Sequence, residues 1–264
     1  MADLSEQTLH VTALPAFNDN YIWLIDNGTH AVVIDPGEAE VVMTELKKRA
    51  LSLSAILLTH RHDDHISGVP RLLTEYDTPV YGPKNDDIIA VTHPLEEGSP
   101  LTIEALGLSL TVMDVPGHTR GHIAYYARMR RWLFCGDMLF GAGCGRMLEG
   151  TPEMMIASLA KFTALPDDTL VFCAHEYTLS NLKFALEIEP DNPDILQRMR
   201  DDSAKRDQMQ PTLPSTMALE KKTNPFLRNM EPDVLERLLS LGLIKSKNTV
   251  DAFAAMREWK NIYR

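Results

Sequence analysis

The chain has 264 residues, 44% hydrophobic and 24% charged, an ordinary globular composition that excludes disordered and fibrous classes. A formal net charge of -11 disfavours broad binding to nucleic-acid backbones or anionic membranes, yet leaves room for a small anionic substrate held by local Lys or Arg residues. The three cysteines, Cys135, Cys144 and Cys173, lack CxxC spacing, which argues against a disulfide scaffold and fits a reducing, cytoplasmic compartment.

In chain order, the opening "MADLSEQTLHVTALP" lacks a basic segment followed by an apolar run, so no leader is expected. "LHVTAL" (8–13), "YIWLID" (21–26) and "AVVID" (31–35) are short, β-branched or aromatic runs that predict strands. Asn27-Gly28 between the second and third predicts a hairpin turn with positive φ at both residues. "EAEVVMTELKKRA" (38–50) predicts an amphipathic helix with Val41, Val42, Leu46 and Ala50 on its apolar face. Lys47, Lys48 and Arg49 then fall where the helix dipole favours cations.

"LSAILLT" (53–59) predicts a strand buried on both faces. Further strands are expected at 79–82, 108–114, 123–127, 131–135 and 169–173, with a helix over 151–165 capped by Thr151. After His175 strand signals stop, and helices are predicted over 178–189, 192–208, 231–242 and 249–263. A mixed α/β domain over 1–175 followed by a helical domain over 176–264 is the expected organisation. No apolar stretch approaches ~20 residues, so no membrane span is predicted.

Nine histidines make their clustering informative. "THRHDDH" sets His60, His62 and His65 with Asp63 and Asp64 directly behind a strand, where either a solvated loop or a metal site would fit. His118, Asp137 and His175 also follow apolar runs, so four segments offer ligands beyond strand ends, where α/β proteins gather their binding residues. Imidazole and carboxylate suit Zn, Fe or Mn. His60, His62 and His118 could serve one metal and Asp64, His65 and His175 a second, with Asp137 bridging. His10, His30 and His93 lack this context, and His122 fits either packing or a hydrogen bond behind the ligands. The cysteines read as small buried hydrophobes.

The set "THRHDDH", "DPG" (35–37), "PGHTRGH" (116–122), "FCGD" (134–137) and "CAHEY" (173–177) resembles the metallo-β-lactamase superfamily. Within it the chain is similar to the glyoxalase II, or hydroxyacylglutathione hydrolase, family from "LPAFNDNYIWL" (14–24) to the terminal "MREWKNIYR". "GCGRMLEGT", "AHEYTLSNLKFAL" and "TNPFLR" carry that narrower likeness. The resemblance implies an α+β fold, a four-layer αββα sandwich followed by a C-terminal helical domain. It also implies two divalent ions, most simply Zn with Fe or Mn as alternatives. The first would be held by His60, His62, His118 and Asp137, and the second by Asp64, His65, Asp137 and His175.

The implied reaction is hydrolysis of S-(2-hydroxyacyl)glutathione, such as S-D-lactoylglutathione, to a 2-hydroxy acid (D-lactate) and glutathione, the second step of methylglyoxal detoxification. Asp64 would be both ligand and orienter of the nucleophile. The family's substrate-binding pattern falls on Arg146, Tyr177, Arg257 and Lys260, whereas Leu148 stands where the family usually has an aromatic. Spacing alone would read Arg257 and Lys260 as a solvated helix face. A cytoplasmic monomer with a glutathione thioester as its partner, and with neither nucleic acid nor membrane, is the overall expectation. Two alternatives remain open at this point: another hydrolase on the same scaffold, such as a lactonase, β-lactamase or phosphodiesterase, and a metal-bound redox or binding protein.

Overall fold

The computed structural model describes residues 8–263; residues 1–7, the first part of the opening segment read above for a leader, lie outside that range, as does residue 264. The chain divides into two compact units, one made of 1–114 with 119–136 and the other of 115–118 with 137–264. The short segment around His118 and the chain from Asp137 onward cluster with the helical region.

The first unit begins with β1 (His10–Ala16), β2 (Asn20–Asp26) and β3 (His30–Ile34), paired antiparallel in sequence. Every residue of β2 is buried, the apolar run Tyr21–Ile25 together with the polar residues Asn20 and Asp26 at its ends. The β2–β3 turn corrects the expected double positive φ: only Gly28 adopts it, at 88°. Asn27 instead uses its side chain, whose Oδ1 accepts from the backbone of Thr29 and His30.

Helix α1 (Ala39–Lys48) stops short of the predicted residue 50. Ala50 turns into the left-handed region at φ 52° and is exposed, so it does not belong to the apolar face. Arg49 caps the helix and pairs with buried Asp26 at 2.7 Å.

Three strands then join β3 in parallel: β4 (Ser52–Leu57), β5 (Val80–Pro83) and β6 (His93–Leu95). Between β4 and β5 lie a single turn, α2 (Asp63–Ile66), and α3 (Val69–Glu75), neither of which was expected. Leu14, Ile22, Leu24, Val33, Ile56 and Leu72 belong to the core that this sheet shares with α1 and α3. A second set of strands, β7 (Pro100–Ile103), β8 (Leu108–Asp114), β9 (Ile123–Ala127) and β10 (Trp132–Gly136), pairs antiparallel in order.

The second unit carries a small hairpin, β11 (Leu139–Phe140) and β12 (Gly143–Cys144). Helix α4 (Pro152–Thr163) follows, and Thr151 accepts from the Met154 N–H as the cap. Strand β13 (Leu170–Cys173) leads to α5 (Thr178–Ile188) and α6 (Pro193–Asp207). Asn192 caps α6, satisfying two of the orphan donors at its start. One short strand does occur beyond His175, contrary to expectation: β14 (Ser215–Thr216) pairs with β13. Helices α7 (Met217–Thr223), α8 (Pro232–Ser240) and α9 (Thr249–Ile262) complete the unit. Among the described residues no helix is long and apolar enough to cross a membrane. All three cysteines are buried and none is in a disulfide, as expected of small hydrophobes.

Candidate metal and substrate site

In the first unit the functional residues gather beyond the carboxyl ends of adjacent parallel strands. Asp35 follows β3, His60, His62, Asp64 and His65 follow β4, and Asp86 follows β5. Parallel strands point all their carboxyl ends one way, so loops from neighbouring strands converge. Asp35 accepts both the backbone N–H and the hydroxyl of Thr59, each at 2.7 Å, which fixes the chain just before His60. Asp86 Oδ2 accepts the Arg61 N–H at 2.8 Å and the Thr119 hydroxyl at 3.1 Å. Burial pushes the Asp86 carboxyl above its ordinary range, partly offset by those donors. Gly37 is required here by close approach: a Cβ would run into the Asp64 carbonyl and the Phe17 ring.

Hydrogen-bond partners assign the histidine tautomers. The Asp35 carboxylate lies 3.0 Å from His65 Nδ1, so that nitrogen carries the proton and Nε2 keeps its lone pair. The Thr59 hydroxyl gives its proton to Asp35 and can only accept from His60 Nδ1, 3.1 Å away, so the His60 proton sits on Nδ1. His60 Nε2 and His62 Nδ1 converge to 3.0 Å. Two nitrogens on one tetrahedral zinc, at Zn–N about 2.0–2.1 Å, would stand about 3.3 Å apart, so this pair fits a shared cation. Asp64 is less buried, its side chain 40% exposed, and Asn20 Nδ2 donates to its Oδ2 at 2.9 Å. His122 is fully buried and stacks on His60 with ring centroids 4.6 Å apart.

The second unit brings His118, Asp137 and His175 together by itself. Asp137 Oδ2 lies 3.5 Å from His118 Nε2, and Oδ1 lies 3.3 Å from His175 Nε2. A carboxylate whose two oxygens face two different imidazoles has the form of a bridging ligand. His118 Nδ1 faces the Arg146 carbonyl at 2.9 Å, and a carbonyl only accepts, so Nε2 is again the unprotonated nitrogen. The His175 ring stacks on Tyr177 at 4.7 Å and meets the Phe140 edge at 5.7 Å, which fixes its plane. In both units the donor set is imidazole nitrogen and carboxylate oxygen, which suits a divalent metal.

A cavity of about 460 Å³ in this second unit is lined by His118, Asp137, Arg146, Tyr177, Arg257 and Lys260 among others. The solvated-face reading of the last two therefore fails for Arg257, which is buried and donates from Nη1 to the Cys144 carbonyl at 2.7 Å. Lys260 Nζ donates to Ser180 and sits over the Phe184 and Tyr263 rings. Burial, and then the neighbouring Arg257 charge, bring its ammonium down to about 8. Cys144 also lines the cavity, but burial raises its thiol to about 11, which keeps it unreactive. Leu148 is 57% exposed.

Asn20, Asp86 and Thr59 were not singled out from sequence, and Asp35 was noted only as part of "DPG". Asp35 offered one usable signal, an acid directly after a strand, the same signal that marks Asp137. Asn20 and Asp86 offered none, since their partners lie 44 and 25 residues away.

Residues 16–175 match the metallo-β-lactamase superfamily, and residues 176–263 match the family described as hydroxyacylglutathione hydrolase C-terminus. The chain is 47% identical to the hydroxyacylglutathione hydrolase of Nitrosomonas europaea, covering 97% of each chain. It is 51% identical to the protein of the same name from Alkalilimnicola ehrlichii, covering 95% of this chain and 98% of that one. Among solved structures it is similar to TTHA1623 in a di-iron-bound form, with a TM-score of 0.58 and 28% identity over 83% of this chain and 100% of that one.

Proposed function

Because the chain belongs to the hydroxyacylglutathione hydrolase family of the metallo-β-lactamase superfamily, we propose that it hydrolyses S-(2-hydroxyacyl)glutathione thioesters to a 2-hydroxy acid and glutathione. The observation that carries this reading is the cavity of the second unit, where Arg146, Arg257 and Lys260 share one wall system with His118 and Asp137. Glutathione brings two carboxylates, and an acidic protein needs local cations to hold them. The thioester carbonyl of a substrate anchored there would lie toward the His118–Asp137 end.

Two divalent ions are proposed, one held by His60, His62, His118 and Asp137 and the other by Asp64, His65, Asp137 and His175. The inward Nε2 atoms of His60, His65 and His118 and the divided Asp137 carboxylate support that assignment. When bound, such a pair lowers the pKa of water toward neutrality and polarises a carbonyl. Asp64, steadied by Asn20, orients the attacking water. Tyr177 and the cations hold the glutathione moiety so that its sulfur leaves as the thiolate. Zinc is the simplest occupant, with iron and manganese as alternatives.

The proposed division of labour is metal binding by 1–175 and substrate binding by 176–264. Sparse, buried cysteines support a cytoplasmic location, and a monomer is the working state.

A steady-state assay on S-D-lactoylglutathione, with metal analysis of the same sample, tests the reading. Rapid thioester turnover with about two metals per chain is the expected result. Lactone or β-lactam turnover far exceeding that of the thioester would defeat it.

The depressed Lys260 pKa adds a pH signature. Its ammonium is charged well below pH 8, and the charge is lost as pH rises through about 8. kcat/KM should therefore fall above about 8, by roughly tenfold for one charge-assisted contact. Lys260→Arg, which stays charged at any working pH, should remove that limb; a limb of the same midpoint in the variant would assign it elsewhere.

A further inference from the structure

The β11–β12 hairpin has little structure of its own. Each strand is two residues long, and Ala142 between them sits in the left-handed region at φ 53°. Yet this hairpin follows directly from Asp137 and ends next to Arg146, whose carbonyl accepts from His118 Nδ1. Any slack in it would move the ligand at one end and the partner of a ligand at the other.

The backbone groups that such a short ladder cannot pair are taken by side chains from the helical region. Glu220 on α7 is fully buried, and its Oε2 accepts the Ala142 N–H at 2.9 Å. Its Oε1 accepts from Arg198 Nη2 at 2.7 Å and from the Ser215 hydroxyl. Asn224, also fully buried, donates from Nδ2 to the Gly143 carbonyl at 2.9 Å and to Glu220 Oε2 at 3.1 Å. Asn181 on α5 donates to the Gly141 carbonyl at 3.0 Å, and Arg257 on α9 to the Cys144 carbonyl at 2.7 Å. Gly143 is needed for this approach, since a Cβ there would meet the Asn181 amide.

Buried charge is a poor way to gain stability, because apolar residues of the same volume often do as well. What these groups supply is direction. Four consecutive residues, 141–144, each have a backbone group held by a different side chain. Locking a ligand-bearing loop from behind is how supporting residues tune metal sites.

We propose that Glu220 and Asn224 are positioning residues for the metal ligands Asp137 and His118, acting through the 137–146 hairpin. The helical region is thereby part of the metal site as well as a platform for substrate. This rests on the ligand assignment made under Proposed function.

The test uses the full chain reconstituted with zinc. Zinc retention is measured by competition with a chromogenic chelator, alongside kcat and KM for the thioester. Asn224→Ala removes the donor to Gly143 and should weaken zinc retention roughly 10–100-fold. kcat should fall with it, while KM moves little.

Leu238→Ala in the buried core of α8 serves as the control for general destabilisation, and should lower the melting temperature while leaving zinc retention as in wild type. If Asn224→Ala fails to fold, Glu220→Gln keeps the side-chain shape and leaves Arg198 paired with Asp202, and should weaken retention in the same direction. Wild-type zinc retention in the folded variant, or equal loss in Leu238→Ala, overturns the proposal. The chelator readout contains no substrate. A wild type that turns over no thioester but shows variant-sensitive zinc retention would defeat the substrate reading and leave this one standing.

Discussion

Replacing Asp64 with alanine is expected to lower kcat by roughly 10²–10⁴-fold, the range over which a positioned proton-handling group acts, with a far smaller change in KM. The reason lies in where its side chain stands. Asp64 is far more exposed than His60 and His65, its Oδ2 shared between the Asn20 amide at 2.9 Å and His65 Nε2 at 3.5 Å. A carboxylate held at one edge by an amide keeps its other lone pairs directed outward, toward where water must be aligned. The groups proposed to hold glutathione belong to other elements, so the ground-state complex keeps its contacts. Losing an interaction made in the transition state alone lowers kcat and kcat/KM equally. Asp64→Asn sharpens the test, since it can still accept from Asn20 but carries no charge. Its kcat should fall nearly as far as that of Asp64→Ala. A wild-type kcat in Asp64→Ala would remove Asp64 from the catalytic machinery.

Much of this site was legible in the sequence because its chemistry is carried by residue types that stand out against their surroundings. His60, His65, His118, Asp137 and His175 are all buried polar groups next to apolar runs, a placement with few structural explanations. Strands were legible for the same reason. The β8 and β9 bounds, 108–114 and 123–127, coincide with the predicted ones because apolar runs there are flanked by clear breaks.

What could not be read was whatever depends on long-range partners. Glu220 and Asn224 lie in "ALEKKTNPF", in the connector between the helices predicted over 192–208 and 231–242, yet both are fully buried. Their burial is decided by Arg198 from α6 and by the hairpin near residue 142, and no local pattern records either partner. The α2 turn was hidden within "HRHDDH" because the chain leading into it is held by Asp35 at Thr59 and by Asp86 at Arg61, and Asp35 also meets His65 within it, contacts that helical periodicity does not record. The Asn27-Gly28 turn shows the opposite error. The dipeptide signal was real, but Asn27 met the turn's needs with its side chain and left the positive φ to Gly28 alone.

The second large effect is expected at Asp137. Its two oxygens face His118 and His175 separately, at 3.5 and 3.3 Å, so one side chain serves both proposed ions. Asp137→Ala should therefore cost more than the loss of one ligand. Each remaining half-site would keep its imidazoles, and the second its Asp64, but both would lose the shared anion that offsets the charge of two divalent ions. Metal content after dialysis should drop from about two per chain to one or fewer. Activity should fall at least about 10³-fold, because several kcal/mol of transition-state stabilisation go with the pair. A variant at Arg146 is the informative contrast, because that residue's carbonyl, not its side chain, supports His118. Arg146→Ala should raise KM while holding its full metal complement. An Asp137→Ala protein that keeps two metals through dialysis would show that the carboxylate is not the bridge, and the ion pair would then have to be assigned to other oxygens.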